Sequence, residues 1–348
     1  FLAQACEFMR GKAETGEEID ALKHRTFYGR EKENLVYPIA LANLVLHGID
    51  EPHLWHGNTL TREEIYSGLY QNAPGQFDVI LTNPPFGGKE GADAQSRFAF
   101  KSRATEVLFL QDVMESLKPD GRCAIVLPEG ILFQTNQDAF VKTKRRLLDT
   151  CDLWCILSLP GGVFTATGAG VKTNVLFFTK GKPTENIWYY DLADVKVNKK
   201  NPFTRDQLAE FFRLLPDRAE SERSWTVEFG NRRRAAKAEA DKLRATAEKP
   251  KTELRKQREA LDALKKSKAS ATELAEAKDR IKDCEREIRS IEAKAQGLED
   301  AAFDLKAVNP NAVVEEDTRT SAELIGVIEA QARQVQRLMA DLRALKHI

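Results

Sequence analysis

Apolar, β-rich runs alternate with helical patterns over the first 190 residues, and this alternation restricts the fold more than any other feature. The apolar runs are 25–31, 77–83, 121–128, 151–159 and 173–180. The helical patterns are 34–47, 102–117 and 136–149. Continuous apolar strands that alternate with helices are typical of a parallel sheet covered on both faces. The sequence therefore predicts an α/β domain, with ligands at the carboxyl ends of its strands.

One predicted strand ends in an unusual elbow. The stretch FDVILTNPPFGGKE, residues 77–90, runs from an apolar strand into Asn83, Pro84, Pro85 and Phe86. Each proline lacks a backbone N–H and fixes φ, so neither a helix nor a central strand continues beyond Asn83. A carboxamide and an aromatic ring are therefore held side by side on a stiff turn.

This elbow suits methylation of an amine. An exocyclic amine on a base, or an amide nitrogen, is a poor nucleophile because its lone pair is delocalised. The Asn83 carboxamide oxygen and the Pro84 carbonyl can each accept one of its N–H bonds, which localises the lone pair for attack. The Phe86 ring offers a stacking surface for a planar group taken out of its helix. The structural alternative is a simple turn after a strand.

Composition excludes few classes of function. The 53 basic and 53 acidic side chains cancel, and nucleic-acid binding depends on local patches rather than on this sum. The five cysteines are scattered, as expected of buried free thiols in the reducing cytoplasm. No apolar run approaches the roughly 20 residues that span a bilayer. The five histidines lack the ligand spacing of a metal site.

The composition changes after residue 230 to Ala, Glu, Lys, Arg and Leu. Two heptad registers predict an antiparallel coiled-coil hairpin over 231–300, with its turn at 265–272. The first register holds Leu254, Leu261 and Leu264, and the second holds Leu274, Ala277, Ile281, Cys284, Ile288 and Ile291. Pro250 should kink the first arm or stagger its start. Residues 191–230 are interpreted as a linking segment, and 301–348 as a tether followed by a partner-binding helix over 321–346.

Several segments together resemble one family. These are residues 27–49, 56–60, 77–90, 109–133, 161–181 and 303–311. They resemble, in the same order, segments of the modification (methylation) subunit of type I restriction–modification systems, a family of adenine-N6 DNA methyltransferases. The elbow resembles motif IV of amino-methyltransferases that use S-adenosylmethionine (SAM). The resemblance implies a Rossmann-like SAM-dependent methyltransferase sheet over 1–190, with a helical coiled-coil region after it.

The resemblance also implies roles for individual residues. Glu31 would accept hydrogen bonds from the SAM ribose, as an acid does after a dinucleotide-binding strand. Asn58 stands where the family has an aspartate near the SAM adenine. Asn83, Pro84, Pro85 and Phe86 would hold the target adenine, and Asn83 would also border the cofactor.

One family feature is missing. The glycine-rich loop DPxxGxGGF, which cradles the methionine end of SAM, is matched only at its last residue, Phe1. The chain also begins with phenylalanine rather than methionine. We therefore expect a piece of a longer chain, with the loop just upstream or absent, and we place Phe1 at the cofactor.

Basic residues follow the elbow. Lys89, Arg97 and Lys101 lie in a loop that could contact DNA phosphates, although a solvated loop with ordinary surface charge is an equal alternative. The stretch FTATGAGVKT, residues 164–173, only loosely resembles a phosphate-binding loop. The family resemblance places it near the adenine pocket, which makes Lys172 a further DNA-binding candidate.

The resulting hypothesis is an adenine-specific, SAM-dependent DNA methyltransferase. The resemblance implies that its partners are DNA, a specificity subunit and a restriction subunit, with two modification subunits in each complex. Two other functions stay open. One is an amino-methyltransferase acting on an RNA base or a protein glutamine. The other is an assembly subunit whose catalytic pocket has decayed.

Overall fold

A computed structural model describes residues 1–164, 171–198, 200–267, 269–311 and 320–345. The described part of the chain divides into two compact units, Phe1–Pro310 and a unit that begins at Asn311. The strands are β1 (Tyr28–Glu31), β2 (His53–Asn58), β3 (Glu63–Tyr66), β4 (Phe77–Thr82), β5 (Leu117–Pro128), β6 (Cys151–Ser158), β7 (Thr173–Lys180), β8 (Ile187–Asp191) and β9 (Ser224–Val227).

Helices separate or follow these strands. They are α1 (Leu2–Arg10), α2 (Gly16–His24), α3 (Val36–Leu46), α4 (Ala92–Ser96), α5 (Thr105–Ser116), α6 (Gly130–Phe133), α7 (Asp138–Thr150), α8 (Ala209–Leu214), α9 (Phe229–Thr246), α10 (Glu248–Lys266), α11 (Ala271–Ala302) and α12 (Ser321–Leu345). The α/β class is thus confirmed, and all three helical patterns of the first 190 residues correspond to helices.

The strands form two sheets. One has the order β1-β2-β3, and the other has the order β4-β5-β7-β6-β8-β9. Within the described residues no strand pair joins the sheets, although the rings of Tyr28 on β1 and Phe77 on β4 lie 5.7 Å apart. The edge strands β1 and β4 therefore approach each other at their amino ends.

The larger sheet is mixed, whereas the sequence predicted a parallel one. β4 is parallel to β5, and β6 is parallel to β8. β7, however, lies between β5 and β6 and runs antiparallel to both. Buried strands read as apolar runs whatever their direction, so the pattern alone could not show this reversal.

Both faces of the larger sheet are covered, as predicted. On one face, β5 and β6 pack against α5 and α7, around side chains such as Leu110, Ile125 and Leu147. On the other face, Trp188 and Tyr190 of β8 pack against Phe211 of α8. β9 pairs with β8, so the sheet continues into the segment interpreted as a link.

A helical hairpin follows the sheet. α11 runs antiparallel to the combined arm of α9 and α10. Three ion pairs between the two arms show this, because the residue numbers increase along one arm as they decrease along the other. These pairs are Arg244–Glu299 at 2.5 Å, Lys251–Glu292 at 3.4 Å and Arg258–Glu285 at 2.8 Å. The arm breaks at Ala247, and Pro250 is the third residue of α10, where a proline is tolerated.

The heptad positions face the hairpin interior. All nine of the apolar positions that the two registers predict are buried or half-buried. α11 begins at a capping box made by Ser270 and Glu273, within the predicted turn. After α11, Phe303 and Leu305 are buried in the core of the sheet domain. The beginning of the predicted tether is thus part of the fold, and residues 312–319 lie outside the described ones.

The second unit contains α12. Its apolar side chains Ile325, Ile328, Val335 and Leu338 are exposed. Among the described residues, no helix is both long and apolar enough to cross a membrane.

Candidate active site

The elbow lies at the carboxyl edge of the larger sheet. Thr82, the last residue of β4, pairs with Ile125 of β5, and Pro128 at the end of β5 pairs with Thr173 at the start of β7. Ser158 at the end of β6 pairs with Asn174. The strand ends around Asn83–Phe86 therefore form one continuous rim, which is where α/β sheets bind ligands.

The elbow presents a polar group to solvent from a fixed backbone. Pro84 is buried and Asn83 is exposed. Within the described part of the chain, the Asn83 carboxamide has no hydrogen-bond partner. Its oxygen is thus available to a ligand, while the buried proline beside it holds the backbone in place.

The backbone after the elbow is clamped to the start of α5. The Thr105 N–H donates to the Gly88 carbonyl at 3.2 Å, and the Thr105 hydroxyl donates to Glu90 Oε1 at 2.8 Å. A Cβ on Gly88 would lie 2.3 Å from Thr105 Oγ1, so only glycine allows this close approach. Gly87 has a φ of 68° and makes the turn between Phe86 and the clamp.

Phe86 has an aromatic neighbour that the sequence interpretation did not single out. The ring of Phe164, in the segment after β6, lies edge-on to Phe86 with centroids 5.5 Å apart and planes at 79°. Both side chains are half-buried. The only sequence signal for Phe164 was its place at the start of the stretch 164–173, of which residues 165–170 lie outside the described ones.

Two expected cofactor residues lie at the carboxyl ends of neighbouring strands. Glu31 ends β1, and its Oε1 accepts the Lys32 and Glu33 N–H groups at 2.8 Å each. Asn58 ends β2, and its Oδ1 accepts the Leu60 N–H at 3.0 Å. Since β1 and β2 are parallel, the two side chains lie on the same edge of the smaller sheet.

An open cleft of about 270 Å³ lies at this edge. It is lined by Lys32, Glu33, Asn34, Asn58, Glu63 and Ile65. Asn58 lines this cleft, whereas Glu31 lies at the end of the adjoining parallel strand and does not line it. An amide is suited to a purine edge, and a carboxylate next to the cleft is suited to ribose hydroxyls, so the two residues fit the nucleoside part of a cofactor.

Phe1 is placed less specifically. It precedes α1 and is 65% exposed, and its carbonyl accepts the Ala5 N–H. A Cβ added to Gly29 in β1 would lie 3.1 Å from Cδ1 of the neighbouring Leu2, so Leu2 lies beside this strand. Phe1 thus lies near the strand that ends at Glu31, and its role at the cofactor stays a prediction.

The four DNA-binding candidates differ in their surroundings. Lys89 and Lys101 are exposed in the loop after the elbow. Lys172 is half-buried, with its Nζ 3.3 Å from Glu129 Oε1. Arg97 donates to Asp112 at 2.6 Å and to the carbonyls of Thr59 and Leu60. These bonds occupy the Arg97 guanidinium, so we do not include Arg97 in the proposed DNA contacts.

No metal site is found among residues 1–164, 171–198, 200–267, 269–311 and 320–345. All five cysteines are free thiols, and four of them are buried. Burial raises the pKa of Cys123, Cys151 and Cys155. These thiols are therefore protonated near neutral pH and are not activated nucleophiles.

Comparisons with known proteins show which family this chain resembles. A family model described as N-6 DNA Methylase matches residues 1–256. The methylase subunit of the type I restriction enzyme EcoEI from Escherichia coli is 40% identical over 195 residues, which cover 55% of this chain and 38% of that protein. The EcoKI methylase subunit from E. coli K12 is 33% identical over 251 residues, which cover 66% of this chain and 46% of that protein.

A solved structure extends the similarity to nearly the whole chain. A chain from a study of complex assembly and conformational transition in a type I restriction–modification system is similar, with a TM-score of 0.62 and 30% identity. The match covers 99% of this chain and 59% of that chain. The present chain therefore spans less than half of the two E. coli relatives and about three fifths of this structural neighbour.

Proposed function

Because this chain belongs to the N-6 DNA methylase family, we propose that it is the catalytic part of a modification subunit that methylates adenine N6 in DNA. The observation that carries this proposal is the Asn83–Phe86 elbow, with an exposed carboxamide on a clamped backbone at the carboxyl edge of the sheet. The type I methylase relatives support the same substrate and the same kind of complex.

The chain's own residues supply positioning rather than acid–base chemistry. The Asn83 Oδ1 and the Pro84 carbonyl accept the two N–H bonds of the target amine, which directs its lone pair out of the ring plane. Phe86 stacks on the flipped base, and Phe164, which lies edge-on to Phe86, flanks it. Methyl transfer gives this nitrogen a positive charge, which makes its protons acidic. One proton is then lost to solvent, so no tuned general base is needed at the elbow.

We propose that SAM is the methyl donor, and that Glu31, Asn58, Asn83 and Phe1 contribute to its site. When bound, SAM supplies a methyl group on a sulfonium, which leaves as a thioether once the methyl group is transferred. Glu31 accepts from the ribose hydroxyls, and Asn58 contacts the adenine edge. The rim geometry of β1, β2 and the adjoining cleft supports this assignment.

The Glu31→Ala variant of the full-length protein should bind SAM about 10-fold more weakly. The loss of one charged acceptor costs roughly 1.5–3 kcal/mol, or a factor of about 10 to 100. Isothermal titration calorimetry measures this affinity. Glu51→Ala, an exposed glutamate just before β2 that does not line the cleft, is the control and should bind within a factor of two. Unchanged affinity in Glu31→Ala would remove Glu31 from the site.

We propose that Lys89 and Lys101 contact phosphates of the DNA strand that carries the target base. We propose that Lys172 also contacts this strand. Phosphate contacts release counterions, so each one contributes a slope of about −0.9 to the logarithmic dependence of affinity on salt. The double variant Lys89→Ala/Lys101→Ala should therefore lose nearly two units of this slope, measured by fluorescence anisotropy from about 50 to 200 mM salt. A slope equal to that of the wild type would show that neither lysine contacts DNA.

The proposed partners are a specificity subunit, a restriction subunit and a second modification subunit. The exposed apolar side chains of α12 support docking of another helix. The measured mass of the complex assembled from co-expressed full-length subunits tests both the partners and the copy number. A modification subunit that remains monomeric in this mixture would contradict the assembly.

Substrate preference separates this function from its rivals. Full-length protein with methyl-labelled SAM should label duplex DNA and leave RNA and protein unlabelled. Label in RNA or in a protein glutamine would favour another amino-methyltransferase. If SAM binds but no substrate is labelled, the chain is an assembly subunit without catalytic activity.

A further inference from the structure

The buried carboxylate of Asp112 on α5 forms ion pairs with three arginines from the smaller sheet and its neighbours. Asp112 is 3% exposed. Its Oδ1 accepts from Arg62 Nη2 at 2.8 Å and from Arg97 Nη2 at 2.6 Å, and its Oδ2 lies 3.5 Å from Arg30 Nη1. Arg30 belongs to β1, Arg62 to the turn between β2 and β3, and Arg97 to the end of α4.

Each of these arginines is connected to a proposed cofactor residue or to the residues that directly follow one. Arg30 directly precedes Glu31 in β1. The Arg62 N–H donates to the Asn58 carbonyl at 2.8 Å. Arg97 donates to the carbonyls of Thr59 and Leu60, the two residues that follow Asn58, at 3.1 and 3.2 Å. Asp112 is thus connected to the ends of both strands that form the cofactor edge.

The other end of α5 holds the elbow. Thr105, the first residue of α5, bonds to Gly88 and Glu90. Asp112 lies seven positions after Thr105, which is about two helical turns or roughly 10 Å along the axis. A single rigid helix therefore connects the elbow to the cofactor edge.

This connection matters because the described residues contain no strand pair between the two sheets. The placement of the cofactor edge relative to the elbow then depends on side chains such as Asp112. Transfer of a methyl group requires an in-line approach, and a displacement of about 1 Å can reduce the rate about 100-fold.

We propose that Asp112 is a positioning residue, which fixes the cofactor edge at the distance from the elbow that methyl transfer requires. This inference rests on the proposed function, since it assigns the cofactor to Glu31 and Asn58 and the target base to Asn83. Asp112 itself touches neither ligand. It acts through Arg30, Arg62 and Arg97.

The electrostatics support a specific role for the charge. Burial raises the pKa of Asp112, and the three guanidinium groups oppose that rise. Burial likewise lowers the pKa of Arg62, and the Asp112 charge opposes that change. Removal of the carboxylate leaves three neighbouring cations that repel one another, so the cofactor edge should separate from α5.

The test compares Asp112→Asn with the wild type in the full-length protein assembled with its partners. Amide hydrogen exchange should be at least tenfold faster at Leu60 and Arg62, and within a factor of two at Glu90 and Thr105. The turnover number per folded molecule should decrease by a factor at least ten times larger than the factor by which the affinity for SAM decreases. Glu115→Gln, on the same helix but half-exposed and paired with Arg146, is the control and should leave both readouts unchanged.

Asp112→Glu keeps the charge but displaces it by one methylene group. It covers the case in which Asp112→Asn does not fold, and it should also lower turnover more than SAM affinity. Unchanged exchange at Leu60 and Arg62 in a folded variant would overturn the positioning role. So would a loss of stability with normal turnover. The exchange readout does not need catalysis, so the two failures are distinguishable: absence of methyl transfer in the wild type contradicts the proposed function, and unchanged exchange in the variants contradicts the positioning role of Asp112.

Discussion

The Asn83→Ala variant of the full-length complex should lose methyl transfer by a factor of about 100 to 1,000 or more, the typical effect of removing one preorganised polar group from a transition state. The side chain is exposed at the end of β4, and within the described residues no other group competes for its oxygen. Without this acceptor, the lone pair of the target amine stays delocalised into its ring. The turnover number measured with methyl-labelled SAM and duplex DNA should therefore collapse.

Two further variants make this result specific. SAM affinity, measured separately by calorimetry, should change less than about threefold in Asn83→Ala, because Asn83 only borders the proposed cofactor site and the proposed contacts of Glu31 and Asn58 remain. Asn83→Asp keeps an acceptor oxygen at the same position and should retain more activity than Asn83→Ala. Asn72→Ala, an exposed asparagine at the end of a short 3₁₀ helix, should behave as the wild type. Transfer near the wild-type rate in Asn83→Ala would show that the carboxamide has another role.

Lys144 should make the stability of the protein depend strongly on pH. This lysine of α7 is 1% exposed, and its ammonium donates to the carbonyls of Leu132 and Gln134 at 2.8 and 2.9 Å. Burial lowers the pKa of Lys144 from 10.5 to about 8, with opposing contributions from the charges of Asp304, which raises it, and Arg232, which lowers it.

The direction follows from the proton count. Between about pH 8 and pH 10.5 the unfolded chain keeps the Lys144 proton and the folded chain has lost it. The contribution of Lys144 to the free energy of unfolding therefore increases with pH across this window. At roughly 1.4 kcal/mol per pKa unit, the full increase is about 3 kcal/mol.

Lys144→Met removes this titration while filling a similar volume. The difference in free energy of unfolding between the wild type and Lys144→Met should rise by about 3 kcal/mol from pH 7.5 to pH 10.5, measured by urea denaturation. The buried Cys and Tyr groups titrate equally in both proteins and cancel. Lys142→Met, on the same helix but 53% exposed, is the control and should show a nearly constant difference. Parallel pH profiles for the wild type and Lys144→Met would contradict the lowered pKa.

The sequence predicted the sheet domain better than its topology. The runs at 77–83, 121–128, 151–159 and 173–180 correspond to β4, β5, β6 and β7 within a few residues. The sequence contains one weak indication that β7 is reversed. Between the apolar runs 151–159 and 173–180 there is no helical pattern that could serve as a parallel crossover. β2 and β8 were missed because HLWHGN and IWYYD combine polar and aromatic residues without a clean period.

The elbow was the most predictable part of the site. Two prolines after an apolar run determine a local conformation, so Asn83 and Phe86 could be placed without tertiary information. Phe164 and Asp112 depend on contacts between segments far apart in the chain, which one sequence does not encode visibly. Arg97 is a different case, because the sequence shows a basic residue in a loop but does not show its buried carboxylate partner, Asp112.

Chemical identification of the methylated nucleoside tests the central claim most directly. Full-length protein with its partners is incubated with duplex DNA that lacks methylated bases and with methyl-labelled SAM, and the DNA is digested to nucleosides for mass spectrometry. We predict that the label is on N6-methyldeoxyadenosine and that it is absent when Asn83 is replaced by alanine. Label on N4-methyldeoxycytidine, or no labelled nucleoside although SAM is bound, would contradict the account.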